Sequence, residues 1–192
     1  VGEEFAAKFV KDSRYTWVID PIDGTKNLIL GLPTWSNLIG LYKDKKSILS
    51  FANFPMLEKF YLAHNNKTLV FIKKLKPKRI FSNKKITNIN KAKIAINTFN
   101  TVKNKKIFNY IKKFKGIYKI TNVDAYNSCL IAEGKFDIFI ESGLKKVDIM
   151  PLVSIVENAG AIISDWNGNK NFNSGKILVS ANKVLHRKFL KI

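Results

Sequence analysis

The chain has 192 residues, 46% of them apolar and 12% aromatic, enough for one large domain or two small ones around a real core. That composition excludes a disordered chain, and the lack of any run of about 18 apolar residues argues against a membrane-spanning helix. The net charge is +20, from 34 bases and 14 acids, yet residues 61–120 hold seventeen bases and no acid.

A lysine cluster of that kind attracts phosphates. Only three of the bases are arginine, the residue suited to bidentate phosphate readout. The middle third is therefore read as solvated surface, with no specific nucleic-acid partner and no membrane expected. The start, VGEEFAAKFVKD, has early acids and no long apolar core, unlike a signal peptide. Cys129 is alone, which excludes an intrachain disulfide and fits a reducing cytoplasm; it reads as a small core hydrophobe.

In chain order, TWVID predicts a strand ending on Asp20. PTWSNLIGLYKDKKSILSFANF predicts two strands around KDKKS, and KFYLAHNNKTLVFI predicts another pair around NN. A basic stretch about Pro77 marks a boundary between residues 1–85, an antiparallel-sheet domain, and residues 86–192, an α/β domain. KAKIAIN predicts a buried strand. KNKKIFNYIKKF puts Ile107, Tyr110, Ile111 and Phe114 on one helical face. GIYKIT predicts a short strand, AYNSCLIAEG a helix ending at Gly134, and KFDIFIES an alternating strand. DIMPLVSIVENAGA predicts a helix stopped at Gly160. AIISDW and KILVSAN predict strands, with NGN as the turn. The fold class is α/β with an α+β first half.

Asp20 and Asp23 sit three apart around Pro21, with a Gly24-Thr25 turn behind them. Two ionised carboxylates held close repel, and a hard divalent cation is the usual compensation. Backbone N–H groups of Gly24 and Thr25 would face an anion if they open a helical turn. Asp148 reads as the N-cap of its helix, with Pro151 in the first turn. Taken singly, these acids read as turns and caps. Their order along the chain says more.

GEE at 2–4, WVIDPIDGTKN at 17–27 and GLKKVDIMPLVSIVENAG at 143–160 resemble, in order, the three signatures of the inositol monophosphatase-like family of Mg2+-dependent phosphatases. The resemblance runs over the whole chain. GLPTWSNLIGLYKD, NFPMLEKFYLA, DAYNSCLIAEGKFDIFIESGLK and IISDWNG look most like its histidinol-phosphatase subgroup. The resemblance implies a layered α/β sandwich that hydrolyses a small phosphate monoester, with two or three Mg2+ per site and water attacking phosphorus in line. It implies Glu3, Asp20, the Ile22 carbonyl, Asp23 and Asp148 as metal ligands. Gly24 and Thr25 would hold the phosphate, with Glu3, Asp20 and Thr25 taking part in catalysis. Asp124 and Glu141 would meet the substrate alcohol. Two acids there suit a cationic amino alcohol, so histidinol phosphate is the first substrate and inositol 1-phosphate the second. Neither His64, His186 nor Cys129 falls in a matching motif. Relatives are commonly homodimers.

Val147, Ile149-Met150-Pro151 and Gly160-Ala161 depart from the family pattern. Family members also carry an N-terminal helical pair that buries one face of the first sheet, and a further acid beside the threonine equivalent to Thr25. This sequence opens at the first motif and reads as N-terminally truncated. The rival to an enzyme is therefore a catalytically impaired fragment that acts only by binding.

Overall fold

The computed structural model describes residues 13–98, 102 and 104–192. Short turns order the first sheet. Asp44 and Lys45 have φ of 48° and 66°, and Asn65 and Asn66 have 49° and 58°. Two left-handed residues in a row match the right-handed twist of the strands they join, so each pair closes a tight hairpin. The result is a six-stranded antiparallel sheet in sequence order: β1 (Tyr15–Asp23), β2 (Ser36–Lys43), β3 (Lys46–Phe54), β4 (Lys59–His64), β5 (Lys67–Ile72) and β6 (Lys78–Arg79). The basic stretch around Pro77 thus contributes an edge strand as well as a connector. The turn α1 (Thr25–Ile29) lies between β1 and β2.

The second sheet has the order β10-β11-β9-β7-β8, from β7 (Ile94–Ile96), β8 (Tyr118–Ile120), β9 (Ile138–Glu141), β10 (Ile162–Ser164) and β11 (Ile177–Ser180). β7 runs parallel to both β8 and β9, while β9, β11 and β10 pair antiparallel. Helices α2 (Lys105–Lys113), α3 (Ala125–Ala132), α4 (Lys146–Ile149), α5 (Val153–Asn158) and α6 (Lys183–Phe189) complete the layers.

Packing follows from the side-chain periods. Leu38, Ala52, Phe54, Tyr61, Ala63 and Val70 point from the first sheet onto Ala125 and Cys129 of α3 and Ile155 of α5. The other sides of these helices, with Ile131, Val153 and Val156, meet Ala95, Phe139, Ile163 and Val179 of the second sheet. Beyond that sheet, Ile107 and Ile111 of α2 and Leu185 and Phe189 of α6 close a further core on Ile94, Ile96, Ile138 and Ile140. The order is sheet, helices, sheet, helices. The outer face of the first sheet turns to solvent: Trp17 is 50% exposed, and the Phe51, Phe60 and Phe71 rings pack side by side across three strands.

Several local expectations change. All four residues of β9 are buried, because helices cover both faces, so the strand does not alternate. β10 and β11 are joined by twelve residues, 165–176, including a 3-10 turn Phe172–Ser174, and not by NGN alone. The helix expected from Asp148 to Gly160 is broken by a 3-10 turn at Met150–Leu152, where Pro151 cannot donate a helical N–H. Gly160, at φ 87°, follows its end as expected. Helix α6, opened by Asn182 accepting from Val184 and Leu185 N–H, was not read from the sequence.

Candidate metal and phosphate site

In a regular strand, residues three apart point to opposite faces. Asp20 and Asp23 do not, because β1 carries an extra residue between them. Asp20 stands opposite Leu38 and Asp23 opposite Ser36, so three steps on β1 match two on β2. The bulge falls at Pro21, which could not donate to the ladder anyway. It returns Asp23 to the buried side already occupied by Val18 and Asp20. Hydrogen bonds fix the distortion. Asn37 donates to the Pro21 carbonyl at 2.7 Å, and the Ile22 N–H donates to Asp20 Oδ1 at 3.1 Å. Asp23 Oδ2 accepts from the Ser36 hydroxyl at 3.0 Å and from the Ala125 N–H at 3.2 Å.

Asp148 is the third residue of α4 and not its N-cap, which is Lys145. Its carboxylate accepts the Lys145 N–H at 2.7 Å, the reaching-back half of a capping box. This correction does not move the acid away from the site. One carboxylate oxygen from each of Asp20, Asp23 and Asp148 lies within 4.8 Å of the other two. Gly24, with φ 74° and ψ 43°, turns the chain into α1 directly behind Asp23. The Thr25 hydroxyl donates to the Ile22 carbonyl at 3.3 Å, which leaves that oxygen a second lone pair. Glu3 lies outside the described residues.

The two remaining acids join the same corner. Asp124 Oδ1 accepts from Asn97 at 2.5 Å and Oδ2 from Asn27 at 3.2 Å. A Cβ on Gly24 would come within 2.9 Å of Asp124 Oδ2, so only glycine lets this carboxylate lie against the turn. Asp124 itself has φ 42° and ψ −123°, a region that costs a non-glycine residue roughly 1–3 kcal/mol. Glu141, at the end of β9, is buried, and its Oε2 has no hydrogen-bond partner among the described residues.

The electrostatics of this corner call for a cation. Burial drives the Asp23 carboxyl well above its usual range; the Asp124 and Asp20 charges add to this, while the Ala125 and Ser36 hydrogen bonds oppose it. Burial also raises Asp124, against the Asn97 hydrogen bond and the charge of Lys26. Glu141 is pushed up to about 8 by burial, with Asp124, Asp23 and Asp148 adding and Asn97 opposing. Carboxylates crowded this way, offering only oxygen donors, suit a hard divalent ion such as Mg2+. A separate cleft of about 780 Å3 contains none of these five acids; it is lined by Tyr42, Ser47, His64, Ser154 and Glu157 among others.

Sequence reasoning missed Ser36 and Asn97. Both are buried and hydrogen-bonded to the acids, but Ser and Asn are common in turns and carried no spacing signal. Asn27 lay inside the matched WVIDPIDGTKN run without being given a role. Cys129 is fully buried, and burial pushes its thiol up, which suits an inert core residue.

The family model described as the inositol monophosphatase family matches residues 1–192, and the chain belongs to that family of Mg2+-dependent phosphatases. It is 33% identical over 173 residues to the chloroplastic bifunctional phosphatase IMPL2 of Arabidopsis thaliana, covering 88% of this chain and 48% of that protein. It is 28% identical over 196 residues to the histidinol-phosphatase of Mycobacterium tuberculosis, covering 99% and 73%. An inositol monophosphatase structure from Zymomonas mobilis superposes with a TM-score of 0.74 at 28% identity, over 94% of this chain and 70% of that one. The chain thus spans about half the length of the plant relative. Among the described residues no helix is long and apolar enough to cross a membrane.

Proposed function

We propose that this chain carries a Mg2+-dependent phosphomonoesterase site, with histidinol phosphate as its preferred substrate. The carrying observation is the convergence of Asp20, Asp23 and Asp148 on one point beside the Gly24-Thr25 turn. Glu3, the three aspartates and the Ile22 carbonyl are the proposed metal ligands, for two or three ions. Bound there, Mg2+ supplies neutralisation of the phosphate dianion and makes water a stronger acid.

The chain's own groups do the rest. The N–H groups of Gly24 and Thr25, at the opening of α1, are proposed to hold the phosphate oxygens. The Thr25 hydroxyl, held toward Ile22 at 3.3 Å, is placed to orient the attacking water. Asp124 and Glu141 receive the alcohol that leaves. A cationic amino alcohol suits these two acids better than a neutral polyol, which is the reason for ranking histidinol phosphate above inositol 1-phosphate.

The test is phosphate release from both esters, with and without Mg2+, by this chain and by Asp20→Asn. Release is expected to need Mg2+, to favour histidinol phosphate, and to fall by about 100-fold or more in the variant. Saturating Mg2+ should raise the melting temperature of the unmodified chain by roughly 5–10 °C and leave the variant unmoved. Release that ignores both Mg2+ and Asp20 would overturn the reading. Folded protein that binds Mg2+ but releases nothing would instead favour the impaired, binding-only alternative.

A further inference from the structure

Asn97 directly follows β7, and Glu141 ends β9. The two strands run parallel with Ile96 opposite Ile140, so Asn97 and Glu141 emerge together from the carboxyl end of the sheet. Ligands of parallel sheets gather beyond those ends. Asn97 is 5% exposed, and its amide is committed wholly to acids of the site. Its Nδ2 donates to Asp124 Oδ1 at 2.5 Å, and its Oδ1 accepts the Asp124 N–H at 3.2 Å.

These contacts have two consequences. They hold Asp124 in a backbone conformation that it would not adopt unaided. They also set the Asp124 carboxylate at the end of β7, next to the strand end that carries Glu141. Asn27 completes the frame by donating to Asp124 Oδ2 and to the Asn122 carbonyl. What is left unmet is Glu141 Oε2, on a side chain 3% exposed and without a donor among the described residues. A buried carboxylate oxygen in that state is poised for a donor from a ligand.

We propose that Asn97 is a positioning residue that sets substrate specificity: by holding Asp124 beside Glu141 it fixes a two-carboxyl cradle, open at Glu141 Oε2, for the protonated nitrogen of a cationic alcohol. This rests on the phosphomonoesterase reading and deepens it. Asn97 acts through Asp124, one of the two acids proposed to grip the leaving alcohol.

The experiment compares the unmodified chain with Asn97→Leu, which keeps the size and removes both polar atoms. Each is assayed with Mg2+ on histidinol phosphate and on glycerol 2-phosphate, an ester of a neutral alcohol. The ratio of kcat/KM between the esters should fall about tenfold or more in the variant, mostly through a higher KM for the cationic ester. If both esters decline together and the ratio stands, Asn97 merely caps α3 and the proposal is overturned. Should Asn97→Leu fail to melt cooperatively, Asn97→Ser replaces it. If the unmodified chain hydrolyses neither ester, the phosphomonoesterase reading falls. The cradle is then judged by calorimetric binding of histidinol in the presence of Mg2+ and inorganic phosphate. Weaker binding in the variant upholds the cradle; equal binding, or none to either protein, refutes it.

Discussion

His186 shows how the partners of one side chain fix its protonation. It is buried on α6 between two serines. The Ser164 hydroxyl donates to the Asp165 carbonyl at 2.6 Å, so its oxygen, 2.9 Å from His186 Nε2, is left to accept. The proton is therefore inferred to sit on Nε2, and Nδ1 accepts from the Ser180 hydroxyl at 3.1 Å. Both nitrogens are satisfied in the neutral ring, and burial lowers the pKa to about 4. A histidine depressed in the fold adds stability that is present above the unfolded value, near 6.5. That stability is lost as pH falls toward 4, because the unfolded chain takes up the proton first. The full loss is roughly 3 kcal/mol. Chemical denaturation between pH 7 and 4 should show this slope, and His186→Gln should flatten it. At this scale the three converging aspartates could be named from the sequence, because they stand in motifs that resemble a known family's signatures in the same order. Ser36, Asn97 and the partners of His186 were not, because their roles come from neighbours distant in the chain.

At the scale of elements, β4 and α3 are tied by a partly enclosed ion pair. Lys59 meets Glu133 with both side chains nearly buried; Tyr61 also donates to Glu133, and Tyr61 and Tyr126 rings flank the ammonium. Lys73 and Glu58 make a comparable pair, but more than half exposed. Breaking the first leaves a charge stranded among rings, whereas the second is already screened by water. Glu133→Ala should destabilise by roughly 3–5 kcal/mol, and Glu58→Ala by under about 1 kcal/mol. Urea melts of the two variants check this; similar small losses would mean that the cage adds little. The hairpins at KDKKS and NN were legible, since turn residues and alternation are local signals. The bulge in β1 was not. Its effect, turning Asp23 to the side of Asp20, depends on pairing with β2.

At the scale of the whole molecule, the outer face of the first sheet stands apart. Trp17 and Ile19 on β1 are exposed, and the Phe51, Phe60 and Phe71 stack is only partly buried. A broad apolar face of this kind should bind an environment-sensitive hydrophobic dye in the native state. Trp17→Ser should reduce that signal at a cost of roughly 1–2 kcal/mol in stability, because about half of the side chain is buried. A native protein that leaves the dye dark would show that the face is covered in solution. The bases of residues 61–120 do not gather on one element. Eight lie on β5, β6, α2 and β8, which belong to different layers, and the other described ones lie in the segments between.

The sequence by itself determined the composition of a core, most of the strands and the α/β class. Each of these is carried by local pattern: period-two alternation, helical spacing and glycine stops. The three aspartates that converge were singled out by the resemblance of their motifs to a known family. Tertiary structure alone decided that β9 is buried on both sides and that Asp148 lies inside its helix, with Lys145 as the cap. It also decided that Asn97 hydrogen-bonds Asp124. The physical reason is the same throughout: pairing and packing between segments far apart in the chain set which face a residue shows and which donor it meets.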